Sequence, residues 1–526
     1  MRIALAALVA LSLALPAGAE VVFRRGIGPS PDTLDPTKGE LQPSARMTYD
    51  LFEGLFSLDG QGQRRNAMAE SHEVSPDGLT YTFKLREAKW SDGTPVTADD
   101  FVFGWRRLAD PKHASPYGYY MWPVLNGQAI GEGKKKPEEL GVQAVDARTL
   151  KVTLAEPTGY FLATLQHPST FPVNRASVEK HGEAFVQPGK LVSNGPYMLV
   201  ESVPQSHLKA VKNPHYYDAA NVQVDTVMSY PIDNNDTEFK RFRAGELDAT
   251  ETLPVTQNDF AKQNLPDAFT SGSTYSTYYL SFNMTNPFWR DNPKLRAALY
   301  LAIDRDVIAT KVMNGSGQPA WTFTPPGKVG GYEPPLPAAA KQTQAERDKL
   351  AKQLLAEAGF GPGGKPLPPV DLLYSTSENN RRVLVAVAAM WKQKLGVETQ
   401  LNNQEFRVVA SIGNEKAYKD IIFYAWIGDY PDPYTFLQLL RGDVGQQNFP
   451  GYKSAEYDRL TTEANRLTDP EKRLSLLAQA EAVALADYPV APVFHNVRRR
   501  LVSPAVKGWT PNPPDFNLPR FLTVGK

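Results

Sequence analysis

Between Ser75 and Asp110 the apolar positions change period, and that change predicts three elements in succession. Ser75-Pro76-Asp77-Gly78 reads as a turn, because Pro presets φ and Gly accepts positive φ. Tyr81, Phe83 and Leu85 then alternate with Thr82 and Lys84, the pattern of a half-buried strand. A second turn falls at Ser91-Asp92-Gly93. Beyond it Phe101, Trp105 and Leu108 form the apolar stripe of a helix. Thr97 stands at its N-cap, and Asp100 at the position a capping box fills with an acid.

The second half is richer in helical periods. Asn292 and Pro293 start one helix, with Leu295, Leu299, Ala302 and Ile303 on its buried face. A second helix is expected over 345–358, stopped by Gly359, and a third over 381–395, stopped by Gly396. A short strand follows over 397–401, and a more apolar one over 421–424. Leu354, Leu355, Leu384, Val387 and Trp391 read as core. Helix followed by apolar strand, repeated, indicates an α/β layer, preceded by a strand-rich α+β half. Pro/Gly-rich loops at 327–337 and 361–369 punctuate this half. The length of 526 residues predicts several domains rather than one.

The first residues fit an export signal. Arg2 precedes an apolar run from Ile3 to Leu15, too short to span a hydrocarbon core of roughly 30 Å as a helix. Ala17-Gly18-Ala19 matches a cleavage site, so the mature chain is expected to start near Glu20. No Cys follows that run, so no lipid anchor is expected. The expected location is a Gram-negative type periplasm.

Composition removes several classes of chemistry. The chain has no Cys, hence no thiol nucleophile and no thiolate metal site. Lys plus Arg and Asp plus Glu balance at 57 each, so nothing in the net charge points to wholesale binding of nucleic acid or of an acidic surface. Arg498-Arg499-Arg500 reads as a solvated strand end, and Lys134-Lys135-Lys136 as a solvated loop. The seven His are scattered and none is spaced as a metal cluster. There is no GxSxG, HExxH or P-loop motif. Asp99-Asp100 is explained by helix capping.

The stretch from Ser75 to Asp110 closely resembles the signature of the extracytoplasmic peptide-binding proteins of ABC importers, solute-binding protein family 5. Other strings resemble the family in the same order. They include Leu34-Asp35-Pro36, Asp50-Leu51-Phe52-Glu53-Gly54-Leu55, Ala114-Ser115-Pro116-Tyr117 and His167-Pro168-Ser169-Thr170. Asn194-Gly195-Pro196-Tyr197, Ile303-Asp304-Arg305-Asp306, 354–360 and Gly428-Asp429-Tyr430 follow. The resemblance implies an α/β fold of the type II periplasmic-binding kind, two lobes on a hinge with an inserted extra domain. It implies a signal peptide at 1–19 and a discontinuous lobe I at 20–53, 178–280 and 497–526. The inserted domain would be 54–177 and lobe II 281–496. It implies a monomer that binds peptide, docks on ABC permease subunits, uses no cofactor or metal, and does not insert in the membrane.

By the same resemblance Asp429 pairs with a peptide's free α-amine, and Glu40 approaches from the opposite lobe. Trp426, Tyr117 and Tyr279 match aromatic positions lining side-chain pockets, and the peptide backbone pairs with strand edges. The carboxylate end departs from the pattern. Phe423 stands where an Arg is expected, the segment at Gly413 and Asn414 lacks another, and Asn380 takes the place of a His. Lys311 remains as a candidate basic partner. A disulfide of the resembled oligopeptide binders maps onto Ser276 and Ile427. Rival readings are a secreted hydrolase of peptides or glycans, a periplasmic chaperone, and a relative that binds a non-peptide solute.

Overall fold

The structure, a computed structural model, describes residues 20–525 apart from 328–331, 362 and 468. The leader expected at 1–19 and the middle of the 327–337 loop lie outside the described residues.

The Ser75–Asp110 stretch folds as its periodicity predicts. The turn closes with Gly78 at φ +71°. Strand Thr80–Leu85 buries Tyr81, Phe83 and Leu85. Helix Ala98–Ala109 starts in a capping box of Thr97 and Asp100 and buries Phe101, Trp105 and Leu108. This strand belongs to an antiparallel sheet with Ala69–Val74, Thr149–Thr153 and Val142–Asp146. The helix is tied to the segment behind it by Trp105, whose indole N–H donates to Thr170 O at 2.7 Å.

A second sheet joins strand Val22–Gly26, parallel, to Thr226–Tyr230, which continues antiparallel to His207–Lys212 and Tyr197–Val203. A third sheet has six strands. Their order is Gly317–Pro319, Val490–Leu501, Phe269–Phe282, Ile421–Ile427, Val370–Ser375 and Thr399–Gln404. Helix Glu378–Leu395 makes the crossover between the parallel strands Val370–Ser375 and Thr399–Gln404. Strand Ile421–Ile427 is nearly all apolar because both faces of this sheet are covered. Ile421 and Phe423 join the main core, while Ile422 packs with Leu373 and Val409 of helix Phe406–Glu415.

Boundaries differ from expectation where polar residues hide them. The helix expected from Arg381 begins one turn earlier, at Glu378, with the Ser377 hydroxyl accepting from Asn380 N. Its first turn is polar, so no apolar period marks it. The strand expected over 397–401 runs instead from Thr399 to Gln404. Asn402, Asn403 and Gln404 are polar because this is an edge strand.

Two long strands, Phe269–Phe282 and Val490–Leu501, are shared along their length. Their pairing slips between Ser273 and Thr277, so each bends at that point. Beside the bend Arg498-Arg499-Arg500 is not a solvated strand end as expected. The Arg500 guanidinium meets Asp515 at 2.7 Å, and Arg498 meets Asp515 at 3.1 Å and Glu251 at 3.5 Å. Arg46 reaches the same two acids at 3.4 and 3.0 Å. Burial alone would raise the Asp515 carboxyl, but the three guanidiniums hold it below the usual range. The sequence could not show this, because Glu251 and Arg46 are hundreds of residues from the run and nothing local marks Asp515 as its partner.

Candidate ligand-binding site

A cavity of about 490 Å³ lies where strands of two sheets end. Ile27, Gly28 and Pro29 follow strand Val22–Gly26, and Asp233 follows Thr226–Tyr230. On the other wall Ser375 ends strand Val370–Ser375 and Thr376 and Ser377 follow it, while Ile421–Ile427 and the turn after it supply Phe423 through Asp429. Both walls thus present the carboxyl ends of parallel strands, where an open α/β sheet leaves a crevice.

Asp429 is placed by the turn that ends strand Ile421–Ile427. Gly428 N–H donates to Tyr275 O at 2.6 Å, and Asp429 N–H donates to Thr435 Oγ1 at 3.0 Å. A Cβ on Gly428 would stand 3.0 Å from Phe436 and Thr435, so only glycine fits this turn without displacement. The Asp429 carboxylate accepts a 2.6 Å hydrogen bond from the Tyr120 hydroxyl. His167 Nε2 lies 3.7 Å from its other oxygen. Ser169 N–H donates to His167 Nδ1, which puts the ring proton on Nε2, facing Asp429. Burial lowers the His167 pKa to about 3, so the ring is neutral and supplies no countercharge. Burial raises Asp429 to about 7, against the lowering effect of the Tyr120 hydrogen bond. Among the described residues Asp429 has no cationic partner.

Glu40 comes from the opposite wall. Its two oxygens accept from Asn414 Nδ2 at 3.2 Å and Gln447 Nε2 at 3.3 Å, both neutral amides. Burial raises its pKa to about 7, partly opposed by the Asn414 bond. These bonds span the cleft, as does Arg407, which donates to the carbonyls of Ser30 and Pro31.

The remaining expected residues divide. Tyr117, Trp426, Phe423 and Asn380 line the cavity. Tyr117 packs on His167 at 4.4 Å between ring centroids, and Asn380 donates to Ser375 Oγ at 3.0 Å. The Trp426 indole N–H is buried without an acceptor. Phe423 is buried against Tyr278 and offers no charge where an Arg is expected. Tyr279 and Lys311 are not brought to the cavity. Tyr279 is turned into the core, edge-on to Phe323 at 5.0 Å. Lys311 is exposed on the segment Ile308–Val312. Nothing in the sequence marks Tyr120 or His167 as a partner of Asp429, although His167 sits in one of the resembling strings. An uncharged ring carries no sequence mark of which acid it will face.

Residues 64–448 match the family model of bacterial extracellular solute-binding proteins, family 5 middle. The chain belongs to solute-binding protein family 5. One family 5 relative is the periplasmic oligopeptide-binding protein OppA of Salmonella typhimurium. It is 39% identical over 526 residues, covering 98% of this chain and 96% of that protein. The structure of Haemophilus influenzae OppA in complex with RPPGFSPFR superposes with a TM-score of 0.91 at 36% identity, over 97% of this chain and 99% of that one. The unliganded open form of the murein tripeptide-binding protein MppA gives a TM-score of 0.71 at the same 36% identity, over 96% and 98%. Family 5 members of equal sequence distance thus differ in shape, and this chain has the shape of the peptide complex. The fold is the two-lobed type II periplasmic-binding fold.

Proposed function

We propose that this protein captures short peptides between its lobes in the periplasm and hands them to the permease of an ABC importer. One observation carries the reading. A buried carboxyl, Asp429, faces the cavity with a neutral hydroxyl and a neutral imidazole as its side-chain partners. An ammonium leaving water needs a charged, hydrogen-bonded acceptor, and this site offers one. The donor left over on Trp426 suits a peptide carbonyl. Family membership and the OppA relative support the same reading.

In this reading Asp429 takes the α-amine and Glu40 lies near the ligand from the other lobe. Tyr117, Trp426, Phe423 and Asn380 shape the side-chain pockets. The lobes are 20–53 with 178–280 and 497–526, and 281–496, with 54–177 as the inserted domain. The mature chain is a monomer without a lipid anchor, and it binds without turnover. Among the described residues Arg498 is the cationic side chain on the cavity wall, and Asp515 and Glu251 already hold it. Among those residues a free C-terminal carboxylate therefore has no dedicated partner.

Calorimetry with a tripeptide and its C-terminal amide tests this. Both bind, and with similar affinity; failure of both to bind overturns the peptide reading, and a large penalty for the amide rejects the missing carboxylate site. Native mass spectrometry of protein purified without denaturation identifies any retained ligand. Release of free amino acids from the tripeptide would instead establish a hydrolase.

A further inference from the structure

Segment 54–177, the inserted domain of the reading above, is bound firmly to the half of the chain that holds strand Val22–Gly26. The chain enters it after Glu53, whose backbone is bonded on both sides by the Asn194 amide of the returning segment. Asp35 pairs with Arg107 at 2.9 Å, and the Tyr49 hydroxyl donates to Gln166 O at 3.0 Å. A Cβ on Gly54 would run into the Phe171 ring, so the two parts are in close contact there.

The same segment meets the helix-rich half differently. Among the described residues no backbone–backbone hydrogen bond crosses from 54–177 to 281–496. Side chains make the contact, and much of it lies outside the cavity. The Tyr160 ring centroid is 4.6 Å from that of Tyr434, and the ring lies parallel to Tyr430 at 6.3 Å. Tyr120 meets Tyr430 edge-on at 6.1 Å. The Arg473 guanidinium stands over the Tyr160 ring at 5.8 Å, and Asp432 holds it there with bonds of 2.6 and 2.9 Å. Gly159 lets the loop come near, since its Cβ would stand 3.5 Å from Leu467 O. At the exposed rim Glu156 and Arg466 pair at 2.6 Å. Tyr160, Tyr430, Tyr434 and Arg473 are not part of the cavity wall.

Such a contact attracts and yet can part. Rings packed by faces and edges separate without breaking a backbone bond, and Arg473 keeps Asp432 as its partner when Tyr160 withdraws. Tyr430 also follows Asp429 directly, so a grip on its ring steadies the turn that carries the site acid. We propose that the inserted domain is a second jaw: a seam centred on Tyr160 closes and opens with the cleft, and sets ligand residence time through contacts that never touch the ligand. Tyr160 is then a positioning residue. This rests on the peptide reading above and goes beyond it.

Stopped-flow kinetics with trialanine on the full mature protein test it. Tyr160→Ala is expected to speed dissociation about tenfold, the scale of two aromatic contacts, with association little changed. Tyr160→Phe keeps the ring and retains the parent rate. The affinity ratio of trialanine to triglycine stays as in the parent, because the ring touches no ligand. An unchanged off-rate in Tyr160→Ala overturns the inference. A second measurement leaves the ring in place. The chain has no Cys, so Glu156→Cys with Arg466→Cys supplies its only thiols, on an exposed pair. Linked by a short bis-maleimide while trialanine is bound, this variant releases the peptide about tenfold or more slowly than when unlinked. Release at the unlinked rate would mean that the two surfaces stay joined when the cleft opens; it overturns the inference and leaves the peptide reading standing. Failure of trialanine to bind the parent protein overturns the peptide reading, and this inference with it.

Discussion

Asp429 is half protonated near neutrality, because burial raises its pKa to about 7 while Tyr120 Oη and His167 Nε2–H solvate it only with dipoles. An ammonium beside it stabilises the ionised form, so the pKa in the complex is lower than in the free protein. The sign follows from linkage. Above pH about 7 the free carboxyl is already ionised and affinity is at its plateau; below it, binding must expel a proton, and affinity falls by up to about tenfold per pH unit. Calorimetry of a tripeptide across this range is expected to show the fall, with proton release that scales with buffer ionisation enthalpy. Asp429→Asn removes the charge but keeps the shape. It is expected to cost about 1.5–3 kcal/mol of binding and to flatten this part of the pH profile. Of the residues expected at the site, Phe423, Trp426 and Asp429 reach it from the wall strand and its turn, Tyr117 from a resembling string, and Glu40 and Asn380 from segments beside the cavity. Lys311 misses because a helix-like segment shows its face only once it has packed. Tyr279 misses because alternation along strand Phe269–Phe282 turns it into the core.

At the scale of elements, much of what is legible as family sequence serves the scaffold rather than the ligand. Asp35 of Leu34-Asp35-Pro36 is buried against Arg107 at 2.9 Å. Glu53 is held by Arg520 and Arg65, with its backbone fixed on both sides by the Asn194 amide. Arg305 is wholly buried and donates to Ala320 O at 2.8 Å and Pro492 O at 2.9 Å. Charged strings are therefore readable as fold, while their roles depend on partners that stand anywhere from 12 to 467 residues away. The resemblance also placed one cross-strand pair correctly, since Ser276 stands directly opposite Ile427. Replacing both with Cys is expected to form a cross-link in oxidising conditions and to raise Tm in differential scanning calorimetry, with a return to the parent value on reduction. Gly428→Ala belongs to this scale as well. Its Cβ would press on Phe436 and Thr435, shifting the turn that aims Asp429. Peptide affinity is expected to drop by an order of magnitude or so, with global stability changed by about 1 kcal/mol. A variant that binds normally would show that the turn absorbs the methyl.

For the whole molecule, the shape depends on few contacts across the cleft. The two shared strands bend where their pairing slips, and the ion cluster of Arg46, Arg498 and Arg500 with Asp515 and Glu251 stiffens the base of that bend. Across the opening stand the Glu40 bonds to Asn414 and Gln447, the Arg407 bonds to Ser30 and Pro31, and the exposed pair Arg466–Glu156 at 2.6 Å. An exposed pair contributes about 0–1 kcal/mol, so Arg466 adds little. Arg407 is different, since a charged donor meets two carbonyls of the other lobe at once. Arg407→Ala leaves the cavity wall intact and removes only a bond that exists when the lobes are together. The free protein should then shift toward an open arrangement, seen as a larger radius of gyration by small-angle X-ray scattering, while saturating peptide restores the parent value. Because closure has lost one of its cross-cleft bonds, peptide affinity falls by about tenfold at most, chiefly through a faster off-rate. An unchanged radius in the free variant, together with unchanged off-rates, would mean that the Arg407 bonds do not hold the lobes together.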